Sequence, residues 1–136
     1  MAWTVEYSDE LGIVILAYTG RVTGRDIQEA AAARIELGKR KGITEFLIDT
    51  KGAEADVSAT LDIYDIPNKL YTEKHVQHES NLAIVEPDSD NTKEMVGFFE
   101  TACLNRGWAA KIFKDRESAI AWLQQIARRR FTDGDR

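Results

Sequence analysis

Cysteine is almost absent from this chain. Cys103 stands alone among 136 residues, so no internal disulfide forms, and a reducing, cytoplasmic setting is expected. No apolar run approaches the ~20 residues that span a bilayer. The first residues, Met1 to Glu6, lack the basic segment and apolar run of a signal peptide. Lys and Arg are outnumbered by Asp and Glu, 18 to 23. That balance excludes a nucleic-acid binder, which needs concentrated positive charge to neutralise phosphates. A local exception is Arg128-Arg129-Arg130. It reads as a cation-rich helix end complementing the macrodipole, with a phosphate or anionic-lipid contact as the alternative.

Catalytic signatures are missing as well. There is no Gly-x-Ser-x-Gly elbow, no Gly-x-Gly-x-x-Gly and no Walker loop. His75 and His78 stand three apart without a third ligand near them in sequence, so no metal is expected. Cys103 lies among Phe99, Ala102 and Leu104, a setting for a buried thiol rather than a nucleophile. Asp49, Glu54, Asp56, Asp62 and Asp65 cluster in one stretch. They read as a solvated loop and a polar helix face, because acid–base work needs two carboxylates converging in a cleft. No enzyme activity and no cofactor are expected.

What is present is an orderly alternation. Ala2–Tyr7 alternates apolar and polar residues, the period of a half-buried strand. Ser8-Asp9-Glu10 makes a turn, and Ile13–Tyr18 is a β-branched run suited to a central strand, paired with the first as a hairpin. Thr19 to Gly24 breaks the strand. Thr23 and Asp26 form a capping pair for a helix over Gly24–Lys39, with Ile27, Ala31 and Ile35 on one face. Gly38 and Gly42 bracket its basic end. Further strands are expected at Ile43–Ile48, Leu82–Val85 and Trp108–Phe113. Pro87 stops the second of these. A helix is expected from Asp88-Ser89-Asp90 to about Asn105, with Met95, Phe98, Phe99, Ala102 and Cys103 apolar. Asp115 caps a last helix, whose apolar residues include Ala119, Ile120, Trp122, Leu123 and Ile126. The fold class is α/β: a single-domain sandwich with a mixed sheet of about five strands, a hairpin followed by parallel βα units, and about four helices. The domain spans 1–130, and 131–136 is a tail.

The helix expected over 57–71 is unusual. Val57, Leu61, Tyr64 and Tyr71 fall in one stripe. Ala59, Ile63, Ile66 and Leu70 lie nearly opposite, with Asp62, Asp65 and Lys69 between. Pro67 kinks or breaks the helix. A helix outside a sheet needs one apolar stripe. The second is covered by neighbouring helices, by an apolar ligand, by a twin subunit or by a membrane surface.

Several segments together resemble the SpoIIAA-like family, relatives of the STAS (anti-sigma-factor antagonist) domains. They are Leu11-Gly12-Ile13-Val14, Tyr18–Gly24, Phe46-Leu47-Ile48-Asp49, Leu61–Pro67, Arg106-Gly107-Trp108 and Ala119–Leu123. The resemblance implies a STAS-like sandwich, and a protein-interaction role as an anti-sigma-factor antagonist is one function it implies. In STAS antagonists Asp-Ser-Ser-Gly opens a helix and a partner kinase phosphorylates the first serine. Here Asp56-Val57-Ser58-Ala59 matches at the first and third positions, with Val57 in place of the phosphoacceptor. Ser58 is the remaining candidate switch, beside a helix N-terminus that favours phosphate. The family also resembles the CRAL-TRIO lipid-binding fold, in which the equivalent helix acts as a flap. The expectation is a non-enzymatic module holding a small apolar ligand or lipid, or meeting a membrane surface, under residues 57–71. Leu61, Ile63, Tyr64, Ile66 and Leu70 are the expected lining, Asp49, Asp56 and Ser58 the loop or regulatory positions. A homodimer is the further expected partner.

Overall fold

The fold is seen in a computed structural model, which describes residues 2–56, 59, 62, 65, 66, 70 and 80–134. Strand β1 (Trp3–Ser8) turns through Gly12 into β2 (Ile13–Val22). Gly12 sits at φ 69°, and its N–H donates to the Ser8 carbonyl at 2.8 Å. That left-handed backbone suits glycine. The hairpin register pairs Val5 with Leu16 and Tyr7 with Val14.

Helix α1 (Gly24–Lys41) starts at the capping box the sequence suggests. Asp26 N–H donates to Thr23 Oγ1 at 3.2 Å, and Thr23 N–H donates to Asp26 Oδ2 at 3.0 Å. Lys39, Arg40 and Lys41 stand at its carboxyl end, where the macrodipole favours cations. Gly42, at φ 67°, closes it. Gly38 lets the helix reach the sheet: a Cβ there would lie 2.6 Å from Phe46 Cζ.

Strands β3 (Glu45–Ala55), β4 (Asn81–Val85) and β5 (Ala109–Phe113) follow in parallel. The sheet order is β1-β2-β3-β4-β5, with β1 alone antiparallel to its neighbour. Helices α2 (Asp90–Asn105) and α3 (Arg116–Gly134) complete the α/β sandwich. Three helices are thus described. The expected fourth, over 57–71, falls mostly outside the described residues, although Asp62 and Asp65 have helical backbone. Helical backbone also continues past Phe131 to Gly134, while the side chains of 128–136, the three arginines included, lie outside the description.

Two expectations need correcting. The polar stretches after Tyr18 and after Asp49 do not break their strands. Each becomes the other's partner, with Thr19 opposite Gly52 and Val22 opposite Ala55. Mutual backbone pairing overrides weak local propensity. The pairing passes a register shift, since Ala17 faces Asp49 but Thr19 already faces Gly52, so β3 carries one extra residue. Phe98, expected on the apolar face of α2, is 41% exposed. The buried stripe is Thr92, Met95, Val96, Phe99, Ala102 and Cys103. At 3.6 residues per turn, that stripe leaves Phe98 on its edge.

The sheet is buried on both faces. Val14, Leu16, Phe46, Ile48, Leu82 and Ile84 meet α1 and α2 in the larger core. Ile13, Ile15, Leu47, Ala83 and Val85 meet Ala119 and Leu123 of α3 in the smaller one. Alternate residues of β2 therefore serve opposite layers, as a period-two strand requires.

Candidate functional site

The larger core is not completely filled. A cavity of about 70 Å³ lies between the sheet and the two helices α1 and α2. The sheet supplies Leu16 and Val22 from β2, Ile48, Ala53 and Ala55 from β3, and Ile84 from β4. Ile27 and Ala31 of α1 and Met95, Val96 and Phe99 of α2 form the opposite walls. Ile66 joins them from the segment after β3.

Four wall residues are polar: Tyr18, Arg34, Thr50 and Thr92. All four are buried. Thr50 Oγ1 donates to the Val85 carbonyl at 2.6 Å. Thr92 Oγ1 accepts from Ala55 N–H at 3.1 Å, which ties α2 to the end of β3. The Arg34 guanidinium carbon lies 5.3 Å from the Phe46 ring centroid, a cation–π distance. Burial pushes the Tyr18 phenol far above its ordinary ionisation range, while the Arg34 charge pulls it down and Asp26 pushes it up. Tyr18 is therefore a neutral hydroxyl at physiological pH.

The segment carrying Ile66 is fastened to α1. Gln28 Nε2 donates to the Asp62 carbonyl at 2.9 Å. Gly24 admits the Asp62 carboxylate where any Cβ would collide with it. Ala59 N–H donates to the Asp56 carbonyl at 2.9 Å, and Asp56 N–H donates to the Val22 carbonyl at 2.9 Å. Asp56 and Ala59 thus stand at the end of β3, Asp62 at the start of α1 and Ile66 at the cavity.

Of the expected lining residues, Ile66 forms part of the wall and Leu70 is buried in the same core. Leu61, Ile63, Tyr64 and Ser58 lie outside the described residues, as do His75 and His78. Asp49 is elsewhere. Its Oδ2 pairs with Arg116 Nε of α3 at 2.6 Å, and its Oδ1 accepts from Lys51 N–H at 3.0 Å. Asp56 pairs with Arg21 at 3.1 Å near the surface, and Glu54 is exposed. These three acids point to three different environments.

Sequence reasoning missed Tyr18, Arg34, Thr50 and Thr92. Arg34 left a signal: it falls on the apolar stripe of α1, three residues after Ala31 and seven after Ile27. A charge on a buried face is costly and calls for an explanation. Among the described residues, no three His, Cys, Asp or Glu stand close enough to hold a metal. No described helix is long and apolar enough to cross a membrane.

The same architecture occurs in solved structures. An uncharacterised protein from Shewanella loihica with a SpoIIAA-like fold superposes with a TM-score of 0.56 at 19% identity, over 90% of this chain and 92% of that one. The anti-sigma factor antagonist SpoIIAA, in its unphosphorylated form, gives 0.55 at 15% identity, over 90% and 98%. At such identities the likeness is one of fold. No curated protein matches the chain. The family model described as SpoIIAA-like matches residues 13–124, from the first residue of β2 into α3. With the strand order and the sequence segments in agreement with that match, the chain belongs to the SpoIIAA-like family.

Proposed function

We propose that this chain is a non-enzymatic STAS-like module that takes a small apolar ligand into the cavity beneath residues 57–71. The observation that carries the reading is the cavity itself, set in an apolar wall with Ile66 on one side. Its volume of about 70 Å³ is roughly half that of an engineered protein cavity that binds benzene. A longer ligand enters only if Ile66 and its segment move outward, so the segment acts as a lid. Each methylene taken from water contributes about 0.8 kcal/mol. A chain of several carbons therefore offsets the cost of ordering and of moving the lid. The same lid, once lifted, exposes apolar surface to a lipid bilayer or to a second copy of the chain.

Native mass spectrometry of the purified protein, followed by organic extraction, tests this. A bound apolar molecule, or binding of added fatty acids, is expected. A protein that carries nothing and takes up neither fatty acids nor liposomes refutes it.

A second reading is an interaction module of anti-sigma-factor-antagonist type, switched at Ser58. The observation in its favour is Asp56, which stands at the end of β3 where the resembling motif begins and pairs with Arg21. Co-purification from the native host separates the readings. A protein partner lost on Asp56→Ala but kept on Ser58→Ala supports interaction without phosphorylation.

A further inference from the structure

The sheet has two edges, and they are finished differently. Strand β5 carries Lys111, exposed at its middle, and its Ile112 N–H donates to Glu100 Oε2 of α2 at 3.0 Å. A charge and a covering side chain are ways in which proteins blunt an edge. Strand β1 has neither a proline nor a bulge, and Glu6 is its one charge. The hairpin sets the direction of its backbone groups. Thr19 N–H donates to the Ala2 carbonyl at 2.9 Å, immediately beside the pair Trp3–Tyr18. That makes Trp3 and Tyr18 a non-hydrogen-bonded pair, so the N–H and C=O of Trp3 point away from β2. The alternation repeats at Val5 and Tyr7. Among the described residues nothing bonds these outward groups.

We propose that β1 is a dimer interface, pairing antiparallel with β1 of a second copy about a two-fold axis at Val5. In that register Trp3 faces the partner's Tyr7, and Val5 faces the partner's Val5. Every outward N–H and C=O of both strands is then bonded. Glu6 lies opposite the partner's Thr4. A shift of two residues either way leaves an outward residue unpaired, and one of the two sets Glu6 against the partner's Glu6, where like charges repel. A shift of one turns outward groups against inward ones. The strand therefore complements itself in one register. Helix α1 rests on β1 and β2. The two copies of α1 then lie about 10 Å apart, two strand spacings, which is the distance of packed helices. Half-buried Ala33 and Leu37 are on the row of α1 that ends at Lys41. Lys41 Nζ is 5.2 Å from the Tyr7 ring centroid, so that row borders β1. The pairing uses neither the cavity nor residues 57–71.

Sedimentation equilibrium of the full chain across micromolar concentrations tests this, with wild type, Thr4→Lys, Thr4→Glu and Val5→Pro. Wild type is expected to form a dimer of twice 15.3 kDa. Thr4 is exposed, so either substitution leaves the monomer folded. Thr4→Lys sets a cation against the partner's Glu6 and tightens the dimer several-fold. Thr4→Glu loosens it several-fold, and both effects shrink in high salt. Val5→Pro removes an outward N–H that β2 does not use, so the hairpin survives and the dimer is lost. Circular dichroism checks that this variant is folded, and the two Thr4 substitutions decide the matter if it is not. A wild type that stays monomeric overturns the proposal. A dimer whose strength ignores the charge at position 4 also overturns it, since that dimer uses another surface.

Discussion

Filling the cavity with protein rather than ligand gives a sharp measurement. Val22 of β2 and Val96 of α2 both line it, and both are buried. Unfilled volume costs about 24 cal/mol per Å³. A cavity of about 70 Å³ therefore costs about 1.7 kcal/mol, which is the most that filling it can return. Val96→Ile adds one buried methyl group, worth about 0.8 kcal/mol. For a domain of this size that raises Tm by about 3 °C. Val22→Ile should do the same from the sheet side. Together the two reach no more than the ceiling of about 1.7 kcal/mol, because they compete for one space. Urea denaturation should show a higher midpoint at unchanged slope. Both variants should also bind added fatty acids more weakly. If the space were already filled, the extra methyl would overpack the core and cost about 1–3 kcal/mol. Destabilisation by both single variants would therefore refute the reasoning.

Other perturbations follow from contacts elsewhere. Gly38→Ala should destabilise by about 1–3 kcal/mol in urea melts, since the new Cβ meets the Phe46 ring, outweighing a gain in helix propensity of about 1 kcal/mol. Asp49→Ala removes the Arg116 pair, whose arginine is 46% exposed. It should cost no more than about 1 kcal/mol, a loss that shrinks as salt is raised, and leave fatty-acid binding intact. Asp115 accepts from Ser118 N–H at 2.8 Å, and that bond holds its carboxyl below its ordinary range. A depressed folded value means that the cap stabilises α3 above the unfolded carboxylate range and fades as pH falls through the folded value. Asp115→Asn, a cap without a titrating proton, should flatten that part of the acid limb in pH-dependent melts.

The fold was legible in the sequence because its strands are short apolar runs separated by clear helix signals. Thr23 and Asp26 announced α1, and Asp115 announced α3. The extension of β2 and β3 was not legible. Thr19, Gly20 and Gly52 have turn character, and only their partners make them strand. The candidate site was half legible. Ile66, which lines the cavity, and Leu70, buried in the same core, both belong to the second apolar stripe read from the sequence. Tyr18, Arg34 and Thr92 come from three distant segments, and nothing local brings them to one cavity. Asp49 looked like a site residue because it ends an apolar run. Its partner Arg116, on α3, is far away in sequence and decides its role.

The extra residue in β3 changes which kinds of mutation the chain tolerates. Before it, Phe46, Ile48 and Thr50 face α1 and α2. After it, Ala53 and Ala55 do, so the parity of the strand has switched. Lys51 is exposed, and replacing its side chain should be nearly neutral. If the residue were removed altogether, the remaining residues would alternate without a break, with Ala53 and Ala55 still facing inward and Thr19 still opposite Gly52. Glu54 would be turned into the apolar cavity only if the bulge were flattened with its residue kept, so the bulge, rather than the length of the segment, is what holds that carboxylate in solvent.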